Sequence, residues 1–292
     1  MSSYLDDIKL EFRKPNNVVV QLIMVNLGVW LFLMTMKLLA IFGLTNLASL
    51  VSSQFVLPSD LGELIFKPWT IITYGLSHYG FGHILSNMLA LWWFGKILQD
   101  LVGSNRVLGI YLLSVIAAAL AYLIIGQIAS ENFRMGGYLI GASGGVYGIV
   151  VALATLSPTY RINMLFIGSV EVKWIALGFV ILSYIGLGGS NAGGNIAHLG
   201  GALMGFVFIK QLQAGRDLGR PIVDVLYGIP NLFKKKSKLK VSHKSEQRKS
   251  TQSNSVDQDE MNRILDKINE SGYGSLSKDE KAKLFSYSKK KN

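Results

Sequence analysis

The chain has 292 residues, of which 50% are hydrophobic and only 16% are charged, and it contains no cysteine. Soluble domains carry about 25% charged residues, so this composition has too little charge for a surface that faces water. The lack of cysteine excludes disulfide scaffolds, thiol nucleophiles and thiolate metal sites.

The net charge of +11 is concentrated at the C-terminal end. From residue 216 onward the chain carries 18 Lys and Arg against 10 Asp and Glu. The most basic stretch is residues 234–240, just after the last apolar segment. Polybasic segments beside a membrane attract anionic lipid headgroups. We therefore expect membrane lipids as partners of this stretch, and no nucleic acid.

Six apolar stretches of about membrane-spanning length precede that tail, and they predict an all-α membrane protein. Basic residues flank them at alternate ends, which by the positive-inside rule puts both termini in the cytoplasm. Spans two, four and six then begin at the outer face. The predicted spans are residues 18–36, 82–98, 107–128, 141–157, 172–187 and 195–212.

A serine and a histidine lie at similar depth in two of these spans. Ser143 follows Gly141 at the start of the fourth span, and His198 lies near the start of the sixth, each about one turn into its helix. A nucleophilic serine needs a base within hydrogen-bond reach. No Asp or Glu lies in the second, fourth, fifth or sixth span to complete a triad. The pattern predicts a Ser–His dyad.

Three further side chains fall near this pair. Tyr147 lies one turn after Ser143 on the same helix face and can pack against the imidazole. His83 and Asn87 share one face at the start of the second span. With the Ser143 amide they could donate hydrogen bonds to an oxyanion. The sequence has no HExxH zinc motif or phosphate-binding loop, so we expect no metal and no cofactor.

These segments resemble the three signatures of rhomboid intramembrane serine proteases, over about residues 18–213. The signatures are Gly141-Ala-Ser-Gly144, Ala197-His198-x-x-Gly201-x-x-x-Gly205 and His83-x-x-x-Asn87. The resemblance implies a six-helix rhomboid-like bundle in a cell (inner) membrane, with a large first loop at residues 37–81. It implies the following roles: Ser143 as nucleophile, His198 as general base, Tyr147 as its packing support, His83, Asn87 and the Ser143 amide as the oxyanion hole, Gly141 and Gly144 as flanking site residues, and His78 as a loop histidine near the site.

The implied reaction is hydrolysis of peptide bonds in or near transmembrane segments of membrane-protein substrates. One alternative is a catalytically inactive rhomboid-like protein that binds or escorts transmembrane clients, and another is a small-solute channel or transporter. The Ser143–His198 register favours the protease. Thr70 and Gln99 stand where relatives often carry arginine and glutamate, and these departures concern stability rather than chemistry.

The sequence divides into four segments: a cytoplasmic N-terminus (1–17), the catalytic domain (18–213), a basic flexible linker (214–256) and an amphipathic helical module (257–292). In the last segment, Met261, Ile264, Leu265 and Ile268 recur at helical spacing, and Gly272 and Gly274 end that helix. Ser277 and Glu280 predict a capping box for a second helix. We expect a small cytoplasmic helical hairpin that either lies on the surface or binds a protein partner.

Overall fold

The computed structural model describes residues 17–129, 136–164, 168–232 and 253–290. The predicted N-terminal segment, apart from Asn17, and the polybasic residues 234–240 lie outside the described residues. The chain divides into two compact units, Met1–Phe233 and Lys234–Asn292.

The first unit is built almost entirely of helices. Its ten α-helices within the described residues are α1 (Val18–Ile41), α2 (Thr45–Ser52), α3 (Leu61–Phe66), α4 (Thr70–Thr73), α5 (Phe81–Val102), α6 (Ser104–Ile128), α7 (Ser143–Leu156), α8 (Val172–Ile185), α9 (Ala192–Gln213) and α10 (Arg220–Leu232). Two short antiparallel strand pairs join them: β1 (Leu57–Pro58) with β2 (Tyr138–Leu139), and β3 (Arg161–Met164) with β4 (Gly168–Glu171).

Each of the six predicted spans coincides with a helix, namely α1, α5, α6, α7, α8 and α9. By length and composition, α1, α6 and α9 can cross a membrane, whereas α7 and α8 are shorter apolar helices. The predicted all-α membrane class is therefore confirmed. The number of crossings stays a prediction.

Three of the predicted helix starts differ from the structure by two or three residues. The third span begins at Ser104 rather than at residue 107. The fourth span begins at Ser143 rather than at Gly141, because Gly141 has a φ of +118°, outside the helical region. Ser143 is thus the first residue of α7, not one turn inside it. The sixth span begins at Ala192, since the Asn195 amide already donates to the carbonyl of Asn191. His198 consequently lies in the second turn of α9.

The two positions that depart from the family pattern both make hydrogen bonds in this fold. The side-chain oxygen of Gln99 accepts from the backbone N–H of Val19 at 3.1 Å, which satisfies one of the unpaired amides at the start of α1. The Thr70 hydroxyl donates to the carbonyl of Lys67 at 2.7 Å.

The second unit contains α11 (Ser253–Ser271) and α12 (Lys278–Lys290), separated by a short 3-10 turn. α11 begins four residues before the predicted start, in polar residues without the apolar periodicity on which that prediction depended. Both hydrogen bonds of the predicted capping box form. The Ser277 amide donates to the Glu280 carboxylate at 2.7 Å, and the Glu280 amide donates to the Ser277 hydroxyl at 3.3 Å.

Candidate active site

Ser143 and His198 meet at the end of the bundle where α5 and α7 begin. The Nε2 atom of His198 lies 2.8 Å from the Oγ atom of Ser143. Both residues border a cavity of about 560 Å³. The cavity lining is Tyr79, His83, Ser86, Asn87, Ala90, Tyr138, Leu139, Ile140, Ser143, Val146, Tyr147, Phe179, Asn191, Gly194 and His198. A hydroxyl and an imidazole at this distance have the geometry of a nucleophile and its general base.

The close approach of α7 and α9 sets this distance. A Cβ atom at Gly201 would overlap the carbonyl oxygen of Gly144, and one at Gly205 would overlap the carbonyl oxygen of Gly148. Glycines four residues apart on each helix therefore allow backbone-to-backbone contact, as small residues do in membrane helix pairs. Since Ser143 precedes Gly144 directly and His198 lies one turn before Gly201, this contact fixes their register.

Tyr147 stacks on the imidazole of His198. The two ring centroids are 4.2 Å apart and the ring planes differ by only 11°. On α8, the ring of Phe179 packs against Tyr147 at 5.1 Å between centroids. The tyrosine is thus held between the imidazole and α8, and the imidazole has little freedom to turn away from Ser143.

A polar residue on α8 that the sequence analysis missed also contacts the imidazole. The Oγ atom of Ser183 lies 3.2 Å from Nδ1 of His198 and 3.0 Å from the phenolic oxygen of Tyr147. Ser183 is 1% exposed. One serine in a mainly apolar span belongs to no motif. The available signal was the rarity of polar side chains in that stretch of sequence.

His83 and Asn87 border the cavity beside Ser143, on α5. The Asn87 side-chain amide donates to the carbonyl of His83 at 2.8 Å. That bond uses one of its two N–H groups, so a second donor remains for a group in the cavity. The structure thus brings the predicted oxyanion donors to the same cavity as the dyad.

The two glycines that flank Ser143 act differently. Gly141 has a positive φ, and a Cβ there would lie 2.8 Å from the His83 ring, so this position requires glycine. Gly144 does not border the cavity. A Cβ at Gly144 would press on the Ala118 methyl of α6, which makes Gly144 a packing residue between α6, α7 and α9.

His78 lies behind the site, in the segment before α5. It is 2% exposed, its ring centroid is 4.9 Å from that of His83, and its Nε2 accepts from the Ala142 amide at 3.5 Å. Burial, and secondarily the neighbouring His83, lowers the pKa of His78 to about 4. His78 is therefore neutral at physiological pH.

Among the described residues, no group of three His, Asp or Glu side chains could hold a metal ion.

The fold and the site together define a class of protein, a bundle of apolar helices with a serine and a histidine at a cavity. The family model of the rhomboid domain matches residues 66–213, half of the sequence. The chain belongs to the rhomboid family. A second model, of a family of unknown function (DUF6576), matches residues 247–290.

Curated relatives are similar to about half of this chain. Rhomboid protein 1, mitochondrial, of Saccharomyces cerevisiae is 30% identical over 142 residues, which cover 48% of this chain and 40% of the relative. RHOMBOID-like protein 12, mitochondrial, of Arabidopsis thaliana is 30% identical over 163 residues, 50% of this chain and 47% of the relative. Rhomboid protease GluP of Bacillus subtilis is 30% identical over 141 residues, 47% of this chain and 25% of the relative. The matched region spans less than half the length of each.

Proposed function

We propose that this chain is a serine endopeptidase that hydrolyses peptide bonds in or near transmembrane segments of membrane proteins. The observation that carries this proposal is the 2.8 Å approach of His198 Nε2 to Ser143 Oγ at a cavity inside an apolar bundle. A protease relative, GluP, supports the same reaction class. No cofactor enters the proposed reaction.

In the first step, Ser143 Oγ attacks the carbonyl carbon of the scissile bond while its proton passes to Nε2 of His198. The imidazolium then gives that proton to the leaving amine, which releases one product and leaves an acyl-enzyme on Ser143. A water molecule, deprotonated by His198, attacks the ester in the second step. Release of the acid returns the serine hydroxyl.

The negative charge that forms on the carbonyl oxygen needs hydrogen-bond donors already in place. Ser143 is the first residue of α7, so its backbone amide has no partner within the helix. The side chains of His83 and Asn87 border the same cavity and supply further donors. We assign these three groups to the oxyanion hole.

The substrate segment reaches the dyad from the lipid, beside α5 or α8. These two helices meet through an edge-on contact between Phe94 and Phe179, with 6.3 Å between ring centroids. A helical segment shields its own peptide bonds, so it must unwind before Ser143 can attack. Substrates with helix-breaking Gly or Pro near the cleavage site are therefore favoured.

The proposed topology has six crossings, with both termini in the cytoplasm and the dyad near the outer face of a cell membrane. The catalytic domain is residues 18–213, and the predicted basic linker 214–256 includes α10 (Arg220–Leu232) and the first residues of α11. Residues 234–240 bind anionic headgroups. The C-terminal helical module at 257–292 lies on the cytoplasmic side, either on a surface or bound to a protein partner.

The test is cleavage of a single-pass model substrate by purified protein in liposomes. We expect Ser143→Ala and His198→Ala each to lower the rate by at least about 1,000-fold, because either change removes a group that takes part in bond formation. Ser157→Ala, at the opposite end of α7, and His243→Ala are the matched controls. Both should retain the wild-type rate.

Cleavage by the wild-type protein that survives both active-site substitutions would overturn the protease assignment. A wild-type protein that binds the substrate segment without cutting it would favour the client-binding alternative instead. Mass spectrometry of the products locates the cut and distinguishes cleavage by this protein from cleavage by a contaminating protease.

A further inference from the structure

Ser183 is the one described polar side chain that contacts the imidazole of His198 on the side away from Ser143. It lies on α8, a helix of otherwise mainly apolar residues, and it is 1% exposed. A buried hydroxyl that makes no hydrogen bond destabilises the folded state. Here the oxygen has two neighbours at hydrogen-bond distance, His198 Nδ1 and the Tyr147 phenol.

The direction of these two hydrogen bonds follows from the chemistry of the dyad. For His198 to accept the Ser143 proton, Nε2 must be unprotonated, so a neutral imidazole carries its hydrogen on Nδ1. That N–H needs an acceptor, and Ser183 Oγ lies 3.2 Å away. The single hydroxyl proton of Ser183 is directed to Tyr147 at 3.0 Å. It is therefore not available to donate to Nδ1.

We propose that Ser183 is a positioning residue that fixes His198 in the tautomer with its hydrogen on Nδ1. This inference rests on the proposed protease and extends it to a group on a third helix. Ser183 takes the place that a carboxylate holds in a catalytic triad. It supplies an acceptor for Nδ1–H without placing a charge in the apolar bundle, where a carboxylate would be costly.

The contact also couples α8 to the imidazole. Ser183 and Phe179 are one turn apart on α8, and both contact Tyr147, which in turn stacks on His198. The same face of α8 thus holds the imidazole by its Nδ1 edge and through the stacked phenol. Substitution of Ser183 removes the first contact and leaves the stacking in place.

The test compares Ser183→Ala with Ser183→Thr, which keeps the hydroxyl. Ser114→Ala is the control, because Ser114 is also buried but its hydroxyl has no hydrogen-bond partner among the described residues. We expect Ser183→Ala to lower kcat about tenfold with KM unchanged, the effect of losing one hydrogen bond to the base. Ser183→Thr should retain most of the wild-type kcat, and Ser114→Ala all of it.

A second readout does not depend on turnover. In nitrogen-15 spectra of histidine-labelled protein, the two ring nitrogens of His198 are identified by their loss in His198→Ala. We expect wild type to carry the hydrogen on Nδ1, and Ser183→Ala to show a mixture of both tautomers. The tautomer measurement does not require substrate cleavage, so it still tests the role of Ser183 if the protease proposal fails. Wild-type kcat in Ser183→Ala, or an unchanged tautomer, would overturn the role of Ser183.

Discussion

The two sides of the cavity are built in different ways. On one side, α7 and α9 touch backbone to backbone through paired glycines, and Ser143 and His198 are set by that contact. On the other side, α5 and α8 reach the cavity through side chains such as Asn87 and Phe179. The first side cannot move without separating the dyad, whereas the second can shift by side-chain rotation. We expect the dyad to stay assembled while the wall formed by α5 and α8 admits a substrate.

The largest effect should come from a methyl group in the glycine contact. Gly201→Ala places a Cβ on the carbonyl oxygen of Gly144, so the helices must separate. Overpacking of this kind costs about 1–3 kcal/mol, and a displaced base can lower the rate about 100-fold. Thermal unfolding and turnover measure both effects.

Gly178→Ala on α8 is the matched control for that change. Among the described residues, no atom other than those of its chain neighbours and its own helix backbone lies within 4 Å of a Cβ at this position. Alanine is favoured over glycine within a helix by up to about 1 kcal/mol, so Gly178→Ala should keep its activity and unfold at an equal or higher temperature. If Gly178→Ala lowers turnover and unfolding temperature as much as Gly201→Ala does, the two sides of the cavity do not differ as described.

A smaller effect should come from Asn87→Ala, on the side-chain wall. We expect kcat to fall about 30-fold with KM unchanged, because removal of one oxyanion donor costs about 100-fold or more and here His83 and the Ser143 amide remain. Steady-state kinetics in liposomes measure this, with the unfolding temperature as the control for folding. An unchanged kcat would remove Asn87 from the oxyanion hole.

The smallest effect should come from Tyr147, which joins the two sides. Tyr147→Ala removes the ring stacked on His198 at 4.2 Å. Aromatic pairs contribute about 0.5–1.5 kcal/mol, so the rate should fall about tenfold. Tyr147→Phe keeps the ring and should lose no more than about threefold. If the two variants are equally impaired, the phenolic hydroxyl rather than the stacking is what supports the imidazole.

The sequence predicted which segments are helical because apolar length is a local property. It placed helix ends less well. The predicted first span ends at residue 36, five residues early, since the helix continues past Lys37 to Ile41. The sequence pattern includes Gly141 in the fourth helix, because the sequence does not reveal that this glycine has a φ of +118°.

The residues of the candidate site also differ in how far local sequence predicts their positions. Ser143, His198 and Tyr147 were found because they share two helices whose register a simple topology predicts. Ser183 was missed because its contact with the imidazole depends on how the turn between α8 and α9 folds back. That turn contains the 3-10 segment Gly186–Gly188, and its path is a tertiary property. Helix capping at Ser277 and Glu280 was predictable because it needs only four consecutive residues.

Gln99 determines how the contact between α1 and α5 responds to acid and salt. Its amide oxygen binds the Val19 amide and so ties the foot of α5 to the first turn of α1. A carboxylate there would lose its charge in acid and be weakened by salt, whereas a neutral amide titrates at no physiological pH. Acidification therefore does not weaken the hydrogen bond between Gln99 and the Val19 amide.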